Sequence, residues 1–206
     1  CDGDGLDNDL EGYGDADGDG VENFRDEDSD GDGVPDSTEI RQMTGYLNPC
    51  KFDTSGLQLP PAVSWNEGDC DGDGWTNEEE GIEDIDGDGV ANYLDDDSDG
   101  DGVLDELDSQ PLDICLYDEA IVDTSLATLA WRALDCDGDG VVNLQEWLDS
   151  TSTLDGCDFI IASITEEPSA DWIAGDCDED GWTNEEEGLE DSDGDGVANF
   201  LDEDAD

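Results

Sequence analysis

Apolar residues fall into two patterns along this chain. Over long stretches, such as residues 15–36 and 84–108, Val, Leu and Ala stand singly between runs of Asp and Gly. Isolated positions of that kind build neither a helical stripe nor an alternating strand. Gly and Asp favour turns, so these stretches are expected to be irregular. Segments such as Asn77-Glu-Glu-Glu and Asn143-Leu-Gln-Glu-Trp-Leu-Asp-Ser predict a turn or two of helix at most. The second pattern is confined to three spacers, which hold most of the remaining apolar residues. Residues 157–165 have strand character, residues 52–59 have it more weakly, and residues 120–134 are compatible with helix. A hydrophobic content of 34% spread in this way supplies no single large core. Small local clusters with covalent or metal staples are the expected solution.

The polar residues between the single apolar ones keep a strict frame. Asp69-Cys70-Asp71-Gly72-Asp73-Gly74-Trp75-Thr76-Asn77-Glu78-Glu79-Glu80 places side-chain oxygens at positions 1, 3, 5, 9 and 12, on Asp69, Asp71, Asp73, Asn77 and Glu80. Gly74 sits at the sharp turn of position 6, and the Trp75 carbonyl is the expected oxygen of position 7. A hard divalent cation of calcium's size takes six to eight oxygens, and a twelve-residue loop of this pattern delivers them. The frame recurs along the chain. Asp15, Asp17, Asp19, Asn23 and Asp26 form one loop, and Asp28, Asp30, Asp32, Asp36 and Glu39 the next. Asp84, Asp86, Asp88, Asn92 and Asp95 follow the Asp69 loop, then Asp97, Asp99, Asp101, Asp105 and Asp108. A solitary loop holds Asp135, Asp137, Asp139, Asn143 and Glu146. The last group is Asp176, Asp178, Asp180, Asn184 and Glu187, then Asp191, Asp193, Asp195, Asn199 and Asp202. Truncated loops stand at the two ends: Asp2, Asp4, Asn8 and Glu11 at the start, Asp204 and Asp206 at the close. These truncations, with the absence of an initial Met, suggest an excerpt of a longer protein.

Within a group, first ligands are 15 and then 13 residues apart (69, 84, 97), which leaves no room for the two helices flanking a true EF-hand. The loops should therefore follow one another directly. In Asp95-Asp96-Asp97 the end of one loop almost touches the start of the next. Carboxylates there are expected to bridge neighbouring ions, giving a row of calcium along the chain.

Charge changes the picture further. There are 65 Asp plus Glu against 4 Lys plus Arg, no His, and a net charge of -61. Scattered acids at that density would predict disorder. Acids in a fixed frame point instead to cations as the counter-charge. The sign disfavours nucleic acid as a partner, and no stretch is long and apolar enough for membrane insertion.

Each spacer is bounded by cysteines: Cys50 and Cys70, Cys115 and Cys136, Cys157 and Cys177. A Trp precedes the second member by five positions each time, at Trp65, Trp131 and Trp172. One local disulfide per spacer is the simplest pairing, each stabilising by roughly 3 kcal/mol. The seventh cysteine, Cys1, matches the second member of a further pair. A zinc site is excluded by the lack of His and of Cys-x-x-Cys. Paired cysteines beside calcium loops place the chain outside the cytosol, extracellular or at the cell surface. The spacer residues and their Trp are expected to pack over the disulfides. The alternative is that their strands pair with another chain and build a fibre by edge addition. Trp75 and Trp182 are read as packing residues before carbohydrate platforms.

The tandem Asp-x-Asp-x-Asp-Gly-x-x-Asn/Asp frame resembles thrombospondin type 3 calcium repeats. With Asp-Cys-Asp-Gly-Asp-Gly-x-x-Asn-x-x-Glu and Trp-x-x-x-x-Cys spacers, it is similar to long repeat proteins of Bacteroidota-type bacteria. The resemblance implies a secreted, rod-like adhesin stalk or extracellular filament. The local cysteine pairs and long spacers depart from the animal pattern, so its wrapped geometry and receptor binding are not carried over. Asp36-Ser37-Thr38 and Asp149-Ser150-Thr151 are similar to an O-glycosylation motif of those bacteria, although plain turn and cap residues explain them as well.

The expected fold class is mostly irregular: an elongated tandem array of calcium loops, with short helical turns, and short β-strands in disulfide-closed spacers. Its expected divisions are 1–49, 50–114, 115–156 and 157–206. The expected function is structural, a calcium-stiffened filament segment whose partners are copies of itself. A monomeric stalk, a mineral-binding matrix protein and a dockerin-like docking module are the alternatives. Catalysis is not expected, because every well-placed carboxylate already belongs to a metal frame and there is no nucleophile motif.

Overall fold

The computed structural model describes residues 6–203 and residue 205. Cys1, Asp2, Asp4, Asp204 and Asp206 lie outside the described residues. The chain forms two compact units, Cys1–Asp99 with Leu104–Leu112, and Gly100–Val103 with Asp113–Asp206.

Both units are mostly irregular, and their helices are short because capping residues stop them within one or two turns. Asn77–Glu80 starts at Thr76, whose side chain accepts from the Glu79 N–H while the Glu79 carboxylate accepts from the Thr76 N–H. That reciprocal cap satisfies two donors at once. Gly81, at φ 82°, ends the turn. Thr183, Glu186 and Gly188 repeat the arrangement around Asn184–Glu187. The two longest helices, Asp36–Gln42 and Asn143–Asp149, run seven residues and stop at Met43 and Ser150 in the left-handed region.

Among the described residues there is no strand, which corrects the expectation for the spacers. Residues 52–59 and 157–165 hold the 3₁₀ turns Thr54–Gly56 and Ile161–Ser163 instead. The residues that follow lay their N–H groups across the preceding acidic loop and not along a second strand. In the first unit Gln58 and Leu59 both donate to the Gly33 carbonyl at 3.0 Å, and Ala62 donates to that of Gly31 at 2.7 Å. In the second, Asp123 and Thr128 donate to Gly102 and Gly100, both at 2.8 Å. There too, Thr165 and Ser169 donate to Gly140 and Gly138 at 2.9 and 2.7 Å. Every spacer thus clasps the loop before it by the carbonyls of loop positions 4 and 6. Extended backbone needs a partner for each N–H, and here the glycine carbonyls provide it.

The three disulfides form as the spacing predicts: Cys50–Cys70, Cys115–Cys136 and Cys157–Cys177. The spacer tryptophan is buried in every case, and the Trp65 and Trp172 indoles donate to the carbonyls of Pro49 and Gly156, each next in the chain to a disulfide cysteine. In the first unit Trp65 meets Phe52 edge-on at 5.9 Å, and Phe52 stacks on Tyr93 at 5.3 Å. Phe159, Trp172 and Phe200 repeat this trio in the second unit at the same sequence offsets, with separations of 5.8 and 5.3 Å. Aromatic pairs of this geometry add about 0.5–1.5 kcal/mol each beyond the area they bury. Around the middle disulfide, Trp131 packs instead with Val103, Tyr117 and Ala127. The apolar cores are therefore local. No described helix is long and apolar enough to cross a membrane.

Candidate metal centres

Each acidic loop is folded by its own first residue. Asp135 accepts the Gly138 N–H on Oδ1 at 2.7 Å and the Gly140 N–H on Oδ2 at 2.9 Å. Asp69 does the same with Gly72 and Gly74, and Asp28 with Gly31 and Gly33. Asp15, Asp84 and Asp191 repeat the pair, while Asp176 holds Gly181. Positions 3 and 5 then use one oxygen each: Asp137 accepts from Asp139 N–H, and Asp139 from Val141 N–H. The same step recurs at Asp17 and Asp19, at Asp86 and Asp88, at Asp178 and Asp180, and at Asp193 and Asp195.

That bonding turns the other oxygens inward, where the protein gives them nothing. Asp137 Oδ2, Asp139 Oδ2 and both Glu146 oxygens are buried without a hydrogen-bond partner. The same holds for Asp30 Oδ2, Asp32 Oδ2 and Glu39 Oε2, and for Asp71 Oδ2, Asp73 Oδ2 and both Glu80 oxygens. Asp32, Glu39, Asp139 and Glu146 are all 0% exposed. Burial, reinforced by the loop's own aspartates, pushes the carboxyls of Glu39, Glu80 and Glu146 up to about 9. Burial with Asp30 alongside pushes Asp32 up to about 8. Burial with Asp88 and Asp86 nearby takes Asp95 up to about 6. Asp26 is raised by partial burial, with Asp19 and Asp17 adding to it, and Glu187 is raised in the same sense. A buried carboxylate without a counter-charge is costly. The chain's own cations do not supply one. The single ion pair among the described residues is Arg25–Glu22 at the surface, while Arg41 and Arg132 bond Thr38 Oγ1 and the Thr124 carbonyl.

Groups of aspartates therefore come within metal-holding distance of one another. Asp15, Asp17 and Asp19 offer oxygens within 4.8 Å, as do Asp28, Asp30 and Asp32, Asp69, Asp71 and Asp73, and Asp84, Asp86 and Asp88. Groups of this kind can hold a metal ion. In the loop that begins at Asp97 the boundary between units intervenes: Asp97, Asp99, Asp105 and Asp108 belong to the first unit and Asp101 to the second. There Asp101 accepts from Val103 N–H, and Asp108 Oδ2 is buried without a partner. At the chain start, Asn8 opens the helix Asn8–Glu11 and Glu11 is buried. Asp202 closes the turn Asn199–Leu201 and lies among the charges acting on Glu187.

The ninth-position asparagines face the backbone. Asn143 Oδ1 accepts from Cys136 N–H at 3.1 Å, and its amide donates to the Trp131 carbonyl at 3.0 Å. Asn77 and Asn184 tie Cys70 to Trp65 and Cys177 to Trp172 in the same way. Asn23, Asn92 and Asn199 reach back to the carbonyls of Glu11, Glu80 and Glu187. Position 9 is thus a latch that fastens a loop to whatever precedes it, a role the ligand spacing did not reveal. Of the tryptophans at position 7, Trp75 is half-buried and its indole donates to the Asp105 carbonyl at 2.9 Å. Trp182 is 59% exposed. Of the candidate glycan hydroxyls, Thr38 is buried and bonded to Arg41 and Gln58, and Ser37 is half-buried. Thr151 bonds the Glu146 carbonyl, and Ser150 is exposed.

Compared with known proteins, the chain matches no protein family, no curated protein and no solved structure.

Proposed function

We propose that this chain is a calcium-stiffened structural segment of a secreted extracellular filament, an elongated run of loops carrying a row of bound calcium ions. The observation that supports this is the loop at residues 135–146, where Asp137, Asp139 and Glu146 hold buried, unpartnered oxygens and the two aspartate charges act on Glu146. An acidic cage closed by a glutamate capable of bidentate binding suits calcium better than magnesium, which demands octahedral geometry and keeps its waters. If free calcium stands about 100-fold above the dissociation constant, each site adds about 2.7 kcal/mol to the ordered state. Several such sites outweigh the local aromatic cores in deciding order against disorder. The three disulfides fit an oxidising compartment, and the resemblance to thrombospondin type 3 repeats agrees with a stalk or filament. The filament's partners are copies of the chain, and Ser150 is its most open candidate for O-glycosylation.

Electron microscopy and limited proteolysis of the secreted material, with and without a calcium chelator, test the reading. Long multi-chain fibres that loosen and become protease-sensitive in chelator are expected. Fibres or rods that keep their order in chelator would overturn it, and single thin rods would replace the filament by a monomeric stalk.

A further inference from the structure

We propose that Asp105, the ninth residue of the loop beginning at Asp97, is a ligand to the divalent cation of the loop beginning at Asp69, so that one ion ties the two loops together. The inference rests on the metal-binding reading above and adds a site that crosses between loops.

Asp73, Glu80 and Asp105 each bring a carboxylate oxygen within 4.8 Å of the others. Glu80 is 3% exposed, and neither of its oxygens has a hydrogen-bond partner. Asp105 is 1% exposed. Three carboxylates gathered at such a place repel one another in a medium that screens poorly. A cation between them reverses the sign of the interaction.

Position 9 explains how Asp105 comes to be there. Six complete loops carry Asn at this position, and only Asp36 and Asp105 replace it. Asparagine is neutral, and its amide donates to the carbonyl twelve residues earlier, as Asn77 does to Trp65. A carboxylate cannot donate. In the Asp97 loop Ser98 fastens the loop instead: its hydroxyl donates to the Asn92 carbonyl at 3.3 Å, and its N–H donates to both Asp105 oxygens at 3.0 and 3.3 Å. The exchange leaves the Asp105 carboxylate beside Asp73 and Glu80 of another loop. The Trp75 indole, from position 7 of that other loop, donates to the Asp105 backbone carbonyl and holds the two in register. The Asp69 loop also has an opening for such a ligand. Its own ninth residue, Asn77, has turned away to Cys70 and Trp65. Asp105 supplies the oxygen that Asn77 does not.

The test is a crystal structure of the calcium-loaded chain, with the ions located by anomalous scattering, beside calcium release from wild-type and Asp105→Asn chains into a fluorescent chelator by stopped flow. Asparagine is the residue other loops carry at this position, so the variant keeps a side chain the loop geometry accepts. An Asp105 oxygen about 2.3–2.6 Å from the ion of the Asp69 loop, and one release phase accelerated about tenfold in Asp105→Asn, are the expected results. An ion held by Asp69, Asp71, Asp73 and Glu80 with Asp105 outside its coordination shell, or unchanged release, overturns the cross-loop link alone. A chain that binds no calcium overturns the metal reading itself.

Discussion

Residues 71–84 and 178–191 are almost the same peptide, differing at Gly72 against Glu179 and at Ile82 against Leu189. They fold alike: both have the Thr–Glu reciprocal cap, the one-turn helix and the glycine stop. Their surroundings differ. Glu80 is 3% exposed and Trp75 is bonded to Asp105, whereas Glu187 is only half-buried and Trp182 is 59% exposed. Local sequence therefore shapes the loop, while the closing of the cage comes from a neighbouring loop that lies across it. In the second copy the position equivalent to Asp97 is Asp204, which lies outside the described residues.

Acidification in chelator should move this comparison most, because it acts on many carboxylates at once. The metal-free fold holds the Glu39, Glu80 and Glu146 carboxyls near 9, above their unfolded values. Folding then takes up protons, so the metal-free compact form is favoured at low pH and is lost as pH rises through that range. Protease resistance in chelator should increase from pH 9 to pH 5, first around Glu80 and later around Glu187. With calcium present the sign reverses, since protons compete with the ion for the same oxygens.

Next in size is Gly33→Ala against Gly20→Ala. Both glycines have positive φ, 93° and 96°, so a side chain is strained at either, by about 1–2 kcal/mol. At Gly33 a Cβ would also stand 2.7 Å from the Leu59 carbonyl, whereas at Gly20 it meets open space. Thermal melts should show Gly33→Ala losing about 1–3 kcal/mol more than Gly20→Ala.

Glu80→Gln and Glu187→Gln test the copies directly. Calcium titration should show about a tenfold loss of affinity at the first and a smaller loss at the second. Equal losses would remove the distinction between the two copies. The smallest effect is expected for tryptophan. Trp75→Phe gives up the bond to Asp105 and should cost about 1 kcal/mol, while Trp182→Phe should fall within about 0.5 kcal/mol of wild type in the same melts.

The clustering of the aspartates and the cysteine pairing were legible in the sequence because both depend on residues close along the chain. Asp135, Gly138 and Gly140 close on each other whatever surrounds them, and each Cys pair spans one spacer. The strand reading of residues 157–165 failed because β-branched residues signal only extended backbone. Strands also need a partner, and the Gly138 and Gly140 carbonyls took the N–H groups that follow. The latch at Asn143 was hidden for another reason: spacing brings an amide to a site without saying which way it turns. The meeting of Asp73, Glu80 and Asp105 joins residues far apart in the chain, and a loop-by-loop reading cannot reach it.

The clasp of each spacer over glycine carbonyls has a bearing on how such a chain can diverge. At Gly31, Gly33, Gly102, Gly138 and Gly140 an added Cβ would come within 3.0 Å of a neighbouring atom, and at Gly72, Gly74, Gly87 and Gly89 it meets nothing within 4 Å. Glu179 already occupies an uncovered fourth position at φ 64°. Mutational drift should therefore gather in the uncovered loops, and the covered ones should keep their glycines long after the rest of the repeat has become unrecognisable.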